Sequence, residues 1–251
     1  MADAVILAGG HTPRELRDRT PYKACLTIGE DPMILPVIRA LCETPSVERV
    51  IVLAPKAVLN AIDCPDRVIL AEGGATLTDT LRRALTLARR DRPILLAASD
   101  IPLLTASAVE YFCQSARRER ADLAYPIVRK EILTALCPHA HRTYVRLKDG
   151  TFTGGNLLYI GGGVSESLLA FADRIFRARK RPWRIAALFG LRFCLAFLLG
   201  RLGIGDIEQH LAELWGRRCR ALIMPYPELA MDVDKLSDYH AIQTHIKQTT
   251  S

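Results

Sequence analysis

The carboxylate with the sharpest chemical context in this sequence is Asp100, which closes the run Leu95-Leu96-Ala97-Ala98-Ser99-Asp100 and precedes Ile101-Pro102-Leu103. A buried strand ending this way delivers one acid to the carboxyl edge of a sheet, where α/β folds bind ligands. The proline beyond it stiffens the turn. A single carboxylate there suits Mg²⁺, which takes one or two protein carboxylates together with substrate phosphates. Thr105 is better placed to cap the helix that follows, so Asp100 is not needed for that job. A holder for the phosphates lies near the N-terminus, in Leu7-Ala8-Gly9-Gly10-His11-Thr12-Pro13-Arg14 with Lys23 after Pro21-Tyr22. A Gly-rich turn exposes backbone N–H groups to phosphate oxygens, while Arg14 and Lys23 add charge-assisted bonds. Alone, the Gly9-Gly10 pair also describes an ordinary strand-to-helix turn. Far downstream, Met231-Asp232-Val233-Asp234-Lys235 places two acids just before a helix, on one face if the segment is extended. Helix-start chemistry alone would explain them; paired with Asp100, either becomes a second metal ligand, Asp234 ahead of Asp232.

These groups need elements to position them. Residues 4–7 form a short apolar run that stops at Gly9, and residues 49–53, 67–71 and 93–98 repeat the pattern of a buried strand. Between them, residues 34–42 and 77–90 carry helical spacing, with Pro36 tolerable in a first turn. Alternation of this kind predicts an α/β fold with a mostly parallel sheet covered by helices on both faces. A helix at 106–118, a strand at 123–128, a hairpin over 144–153 turned at Asp149-Gly150, and a strand at 156–160 follow. Residues 166–215 read as a helical, apolar and Arg-rich insertion, after which come a strand at 219–224 and a closing helix at 236–246. One domain over residues 1–251 is expected, since 49% hydrophobic and 24% charged residues in 251 suffice for a core without disulfides or structural metal.

Seven cysteines are scattered, odd in number and never spaced C-x-x-C, which disfavours a disulfide framework or a four-Cys zinc site. Cys137-Pro138-His139-Ala140-His141 lacks a second cluster at ligand spacing and reads as a surface loop. No G-x-S-x-G elbow points to a hydrolase. No basic region followed by an apolar leader opens the chain, and a cytoplasmic location is expected. The net charge of +7 points to anionic partners, but the arginines sit in separate short clusters and only 6% of residues are aromatic, so nucleic acid is not expected. Residues 177–184 are basic with Trp183, and residues 185–199 are mostly apolar but too few to span a bilayer. Burial in this chain or in a homodimer is expected there, with contact to a membrane surface as the alternative.

Segments 7–23, 72–81, 95–103, 153–158 and 231–238 together resemble the molybdenum-cofactor-guanylyltransferase-like nucleotidyltransferases, a branch of the sugar-phosphate nucleotidyltransferase superfamily. The resemblance implies a Rossmann-like, three-layer α/β/α fold of the glycosyltransferase-A type, with Mg²⁺ and an NTP bound above the sheet. By position, Gly9, Gly10, Arg14 and Lys23 would hold the triphosphate, with Leu7 and Ala8 also in the nucleotide-binding set and Lys23 neutralising charge as an acceptor phosphate attacks the α-phosphorus. Glu72, Gly73 and Gly74 would contact the base, Asp100 and Asp234 the metal. Thr153, Gly154, Gly155 and Asn156 would face the acceptor. Thr12-Pro13 departs from the usual small, Gly-containing middle of the phosphate loop, and proline offers no N–H. The implied activity is transfer of NMP from an NTP to a phosphorylated acceptor with release of pyrophosphate. A sugar or polyol phosphate is favoured as acceptor, a pterin cofactor is the alternative, and a non-catalytic nucleotide-binding regulator or membrane-surface protein is the rival from another class.

Overall fold

A computed structural model describes residues 1–138, 142–163 and 189–250. Strand β1 (Ala2–Leu7) is the centre of the parallel half of the sheet, flanked by β4 (Val47–Ala54) and β6 (Ile94–Ala98), with β5 (Val68–Glu72) outside β4. Two very short strands, β2 (Thr27–Ile28) and β3 (Asp31–Pro32), form a separate hairpin. Leu7 pairs with both Leu53 and Ala98, so the loops after β1, β4 and β6 leave the sheet at one edge. Beyond β6 the direction changes: β10 (Leu157–Ile160) runs antiparallel to β6 and to β7 (Leu123–Arg129), and β11 (Cys219–Met224) is parallel to β7. Because β10 is reversed, the loop that precedes it, rather than the one that follows, lies at the edge carrying Asp100. Strands β8 (Val145–Leu147) and β9 (Gly150–Gly154) form the hairpin expected at Asp149-Gly150, and β9 pairs with the end of β7. The sheet is therefore mostly parallel, as the alternation of elements requires.

Side chains alternate across it. Ala4, Ile6, Leu95 and Ala97 face one core with helix α1 (Ile34–Glu43) and helix α4 (Ala106–Arg118); Val5, Ile51, Leu53 and Leu96 face the other with helix α3 (Leu77–Leu87). Helix α4 starts where Thr105 Oγ1 accepts the Ala108 N–H at 3.2 Å, so Thr105 is the cap and Asp100 is left for the sheet edge. Two short helices, α2 (Lys56–Leu59) and α5 (Lys130–Leu136), were not legible as periodic patterns. Helix α3 ends at Leu87, three residues before the spacing at 77–90 would stop it. The cause is Asp3, a carboxylate with no exposed surface. A buried charge must be paired, and Asp3 draws in both the Arg89 N–H at 2.9 Å and the Arg89 guanidinium at 2.6 Å.

Of the insertion expected at 166–215, residues 164–188 lie outside the described residues, as do His139 and His141 of the Cys137 segment and the basic stretch at 177–184. Helices α6 (Leu191–Leu198) and α7 (Ile204–Trp215) lie in the remainder. Helix α8 (Leu236–Thr250) closes the chain. On and just after α6, Leu195, Leu198 and Leu199 are 50%, 78% and 65% exposed to solvent among the described residues. No helix among the described residues is long and apolar enough to cross a membrane.

Candidate active site

Three carboxylates and one ammonium meet at the carboxyl edge. Asp100 sits just past β6, and its carbonyl oxygen accepts the Val233 N–H at 3.1 Å, which pins the 231–234 segment beside it. Asp238, in the first turn of α8, accepts the N–H groups of Asp234 and Lys235 at 3.1 and 3.0 Å, a cap that fixes the Asp234 backbone. Oxygens of Asp100, Asp232 and Asp234 then lie within 4.8 Å of one another. Lys23, in a 3-10 turn over Lys23–Cys25, reaches across with its Nζ 2.9 Å from Asp100 Oδ2 and 2.5 Å from Asp234 Oδ1. Asp232 is engaged separately by Arg142, whose Nη1 donates to the Asp232 carboxylate and whose Nη2 donates to the Asp232 backbone carbonyl.

The electrostatics follow from this crowding. Burial works against the Lys23 charge, but Asp100 and Asp234 more than offset it and raise its pKa. Burial, reinforced by the charges of Asp234 and Asp100, lifts Asp232 to about 6 despite the opposing pull of Arg142. Asp234 is also pushed up by burial, yet the hydrogen bond and charge of Lys23 outweigh that and hold it below the ordinary carboxylate range. Three carboxylates that need internal cations to share a site form a donor set suited to a hard divalent ion, because all the offered ligand atoms are oxygens.

Beside this cluster a cavity of about 600 Å³ runs between the loop after β1 and the start of α3, within the range of small-molecule sites. Leu7, Gly9, Gly10, Gly73 and Gly74 line it, together with the His11 and Tyr22 rings. Those rings stack at 5.5 Å where the strand-like segments around His11 and Tyr22 bridge. The Lys23 N–H donates to the Gly10 carbonyl at 3.0 Å, so the glycine loop and the lysine turn are one unit. The N–H groups of Gly9 and Gly10 donate to no described residue, and Thr12 Oγ1 is buried without a partner among the described residues. Gly74 is required by close approach: a Cβ there would come within 2.7 Å of the Asp79 carbonyl carbon and 2.8 Å of the Thr80 nitrogen.

The other expected residues are spread around the site. Ala8 is buried, its N–H bonded to Leu53 O at 2.8 Å. Arg14 is exposed in a 3-10 turn and has no side-chain partner among the described residues. Glu72 is exposed at the end of β5, outside the cavity wall. Gly155 and Asn156 are tethered by their N–H groups to Pro126 O and Leu229 O at 2.8 and 2.9 Å, which brings the loop before β10 against the segment leading to Asp232. Thr153 and Gly154 belong to β9 and line a second cavity on the α7 side of the sheet.

Sequence reading missed three groups. Arg142 belongs to no motif in the sequence, and only its 8% exposure and its grip on Asp232 single it out. His11 and Tyr22 gave no signal beyond their closeness to Gly10 and Lys23.

Fold and site together define a nucleotidyltransferase of the nucleotide-diphospho-sugar transferase architecture. The chain matches the MobA-like NTP transferase domain over residues 4–229 and belongs to that family. Among solved structures, it is similar to a hypothetical transferase from Thermus thermophilus, with 34% identity and a TM-score of 0.82 over 95% of this chain and all of that one. A CMP:2-keto-3-deoxy-manno-octonic acid synthetase complexed with CTP shares the fold at 17% identity and a TM-score of 0.64, covering 99% of both chains. So does a 2-C-methyl-D-erythritol 4-phosphate cytidylyltransferase, also from Thermus thermophilus, at 15% identity and 0.54, over 98% of this chain and 100% of that chain. No curated protein sequence matches the chain.

Proposed function

We propose that this nucleotidyltransferase transfers NMP from an NTP to a phosphorylated small molecule, a sugar or polyol phosphate, with Mg²⁺ as the cofactor. The observation that carries the reading is the meeting of Lys23, Asp100 and Asp234, which come from three separate parts of the chain, beside a loop whose Gly9 and Gly10 N–H groups have no partner among the described residues. An oxygen of the acceptor phosphate forms a bond to the α-phosphorus, the α–β bridge breaks, and pyrophosphate leaves with the electron pair. No protein nucleophile is required, so catalysis is positioning and charge neutralisation. Asp100 and Asp234, with Asp232 as a further donor, would hold Mg²⁺, which supplies charge neutralisation for the triphosphate.

The chain's own residues do the rest. Gly9 and Gly10 offer N–H groups to phosphate oxygens, and Gly73 and Gly74 leave room for the base. Lys23 balances Asp100 and Asp234 in the free protein, and turns its ammonium to the triphosphate when those carboxylates take another partner. Arg142 keeps Asp232 oriented. Arg14, exposed and unpartnered among the described residues, is free to meet the outer phosphates. Seven cysteines without a disulfide fit a reducing, cytoplasmic compartment. A thermal-shift series with each of the four NTPs and Mg²⁺ tests the binding half of this reading, because a ligand held only by the native state raises the midpoint. No shift with any NTP overturns it.

A further inference from the structure

We infer that the cavity beside Thr153 and Gly154 is a tail-binding subsite, so that the acceptor is a phosphorylated amphiphile carrying an alkyl or isoprenoid chain. This inference rests on the nucleotidyl-transfer reading above and narrows its acceptor. The cavity holds about 320 Å³ between the sheet and helices α6 and α7. Its walls are carbon: Tyr125 and Ile127 from β7, Phe152 from β9, and Ile204, Ile207 and Leu211 from α7. The two charged residues on its border, Glu208 and Arg220, are bonded to each other at 3.1 Å, and Glu208 also takes the Ala221 N–H at 2.7 Å. Such a wall gives a sugar ring few hydrogen bonds and would leave its hydroxyls unpaired. A hydrocarbon chain loses nothing there and gains burial.

Continuity with the active site fixes the occupant. Thr153 and Gly154 line this cavity, and the next two residues are tethered to Pro126 and Leu229, close to the segment that carries Asp232. A Cβ on Gly154 would collide with the Tyr125 hydroxyl, so the ring tip packs directly on the expected acceptor loop. Burial raises the Tyr125 pKa and the charge of Asp232 adds to the effect, which places the phenol within the field of the acidic cluster. A phosphate near that cluster can therefore send a chain past Tyr125 into the apolar space. At the other end, Phe197 borders the cavity and is itself 39% exposed, so the apolar space opens to the surface there.

Binding of butyl, octyl and dodecyl phosphate to the full chain, in Mg²⁺ and by calorimetry below their micelle concentrations, tests this. Each methylene buried is worth about three- to fourfold in affinity, so affinity should climb with chain length and level off once the cavity is full. Ala221 lines the cavity, and Ala221→Phe should abolish the climb while keeping the thermal shift given by NTP and Mg²⁺. Equal affinity for butyl and dodecyl phosphate overturns the inference, as does dodecyl phosphate binding in Ala221→Phe equal to the unmodified chain. Equal affinity across the chain-length series overturns the inference even if the variant does not fold. Failure of the nucleotide reading has its own sign, the absence of any NTP-induced shift. Sedimentation with phosphatidylcholine vesicles containing phosphatidic acid, lost in Ala221→Phe, supports a membrane-borne amphiphile. Dodecyl phosphate binding without sedimentation supports a soluble one. Vesicle binding that survives Ala221→Phe assigns the contact to the exposed leucines and overturns the inference.

Discussion

Lys23→Met should tighten the binding of Mg²⁺ while lowering turnover, a combination that few roles other than the proposed one would produce. The Lys23 ammonium now occupies oxygens of Asp100 and Asp234 that a divalent cation would need. Its bond to Asp100 joins two side chains only 13% and 15% exposed, a charge-assisted contact worth about 1.5–3 kcal/mol. The arm to Asp234, whose side chain is 60% exposed, is screened and adds at most about 1 kcal/mol. Removing this competitor therefore strengthens cation binding by about 2–3 kcal/mol, or roughly 30- to 140-fold. Mutual repulsion acts in the same direction. Two carboxylates within 4.8 Å of each other repel by about 3.5 kcal/mol at an effective dielectric constant of about 20, so the variant should also melt lower in chelator and be rescued by Mg²⁺. Calorimetric titration with Mg²⁺ in the absence of nucleotide reads the affinity, and steady-state assays should show kcat falling more than KM rises. Mg²⁺ binding that weakens or stays unchanged in Lys23→Met would refute the reasoning.

Asp100→Asn should abolish turnover with the circular dichroism spectrum intact, because a neutral amide is a poor partner for Mg²⁺; near-normal activity at saturating Mg²⁺ would remove Asp100 from the site. Asp234→Ala should damage activity more than Asp232→Ala, and the reverse order would move the second ligand to Asp232. Asp3→Ala, which deprives Arg89 of its buried partner, should cost about 2–3 kcal/mol in urea denaturation without altering kinetic constants. The thiols of Cys113 and Cys219 are pushed up to about 12 and about 11, chiefly by burial. Both should resist iodoacetamide at pH 8 in the native protein and react only on unfolding.

Elements were readable where local pattern and tertiary demand agree. Helix α4 and strand β11 have the bounds that spacing alone gives, 106–118 and 219–224, because a Thr cap fixes the one start and a short run, apolar but for Arg220, leaves little choice for the other. The end of α3 was not readable, since it is set by Asp3, 86 positions from Arg89. Among site groups, Asp100 announced itself through the strand it terminates. Lys23 was legible as a basic residue near a glycine loop, but its contact with Asp234 spans 211 positions and arises from sheet topology. Arg142 carries no local signature, and its role is visible only through the buried carboxylate it faces. The tail cavity is still less legible, because its walls come from β7, β9 and α7, which read in sequence as a strand, half of a hairpin and part of an insertion with no sign that they meet.

The central claim is that this chain breaks the bond between the α- and β-phosphates of an NTP and passes the nucleotidyl group to a phosphate. Phosphorus-31 spectroscopy of the protein with Mg²⁺, the four NTPs and a set of phosphorylated sugars, polyols and alkyl phosphates reads that bond directly. The account predicts pyrophosphate together with a new diphosphate-linked product, both lost in Asp100→Asn. Orthophosphate and NDP would show cleavage between the β- and γ-phosphates instead and would contradict it.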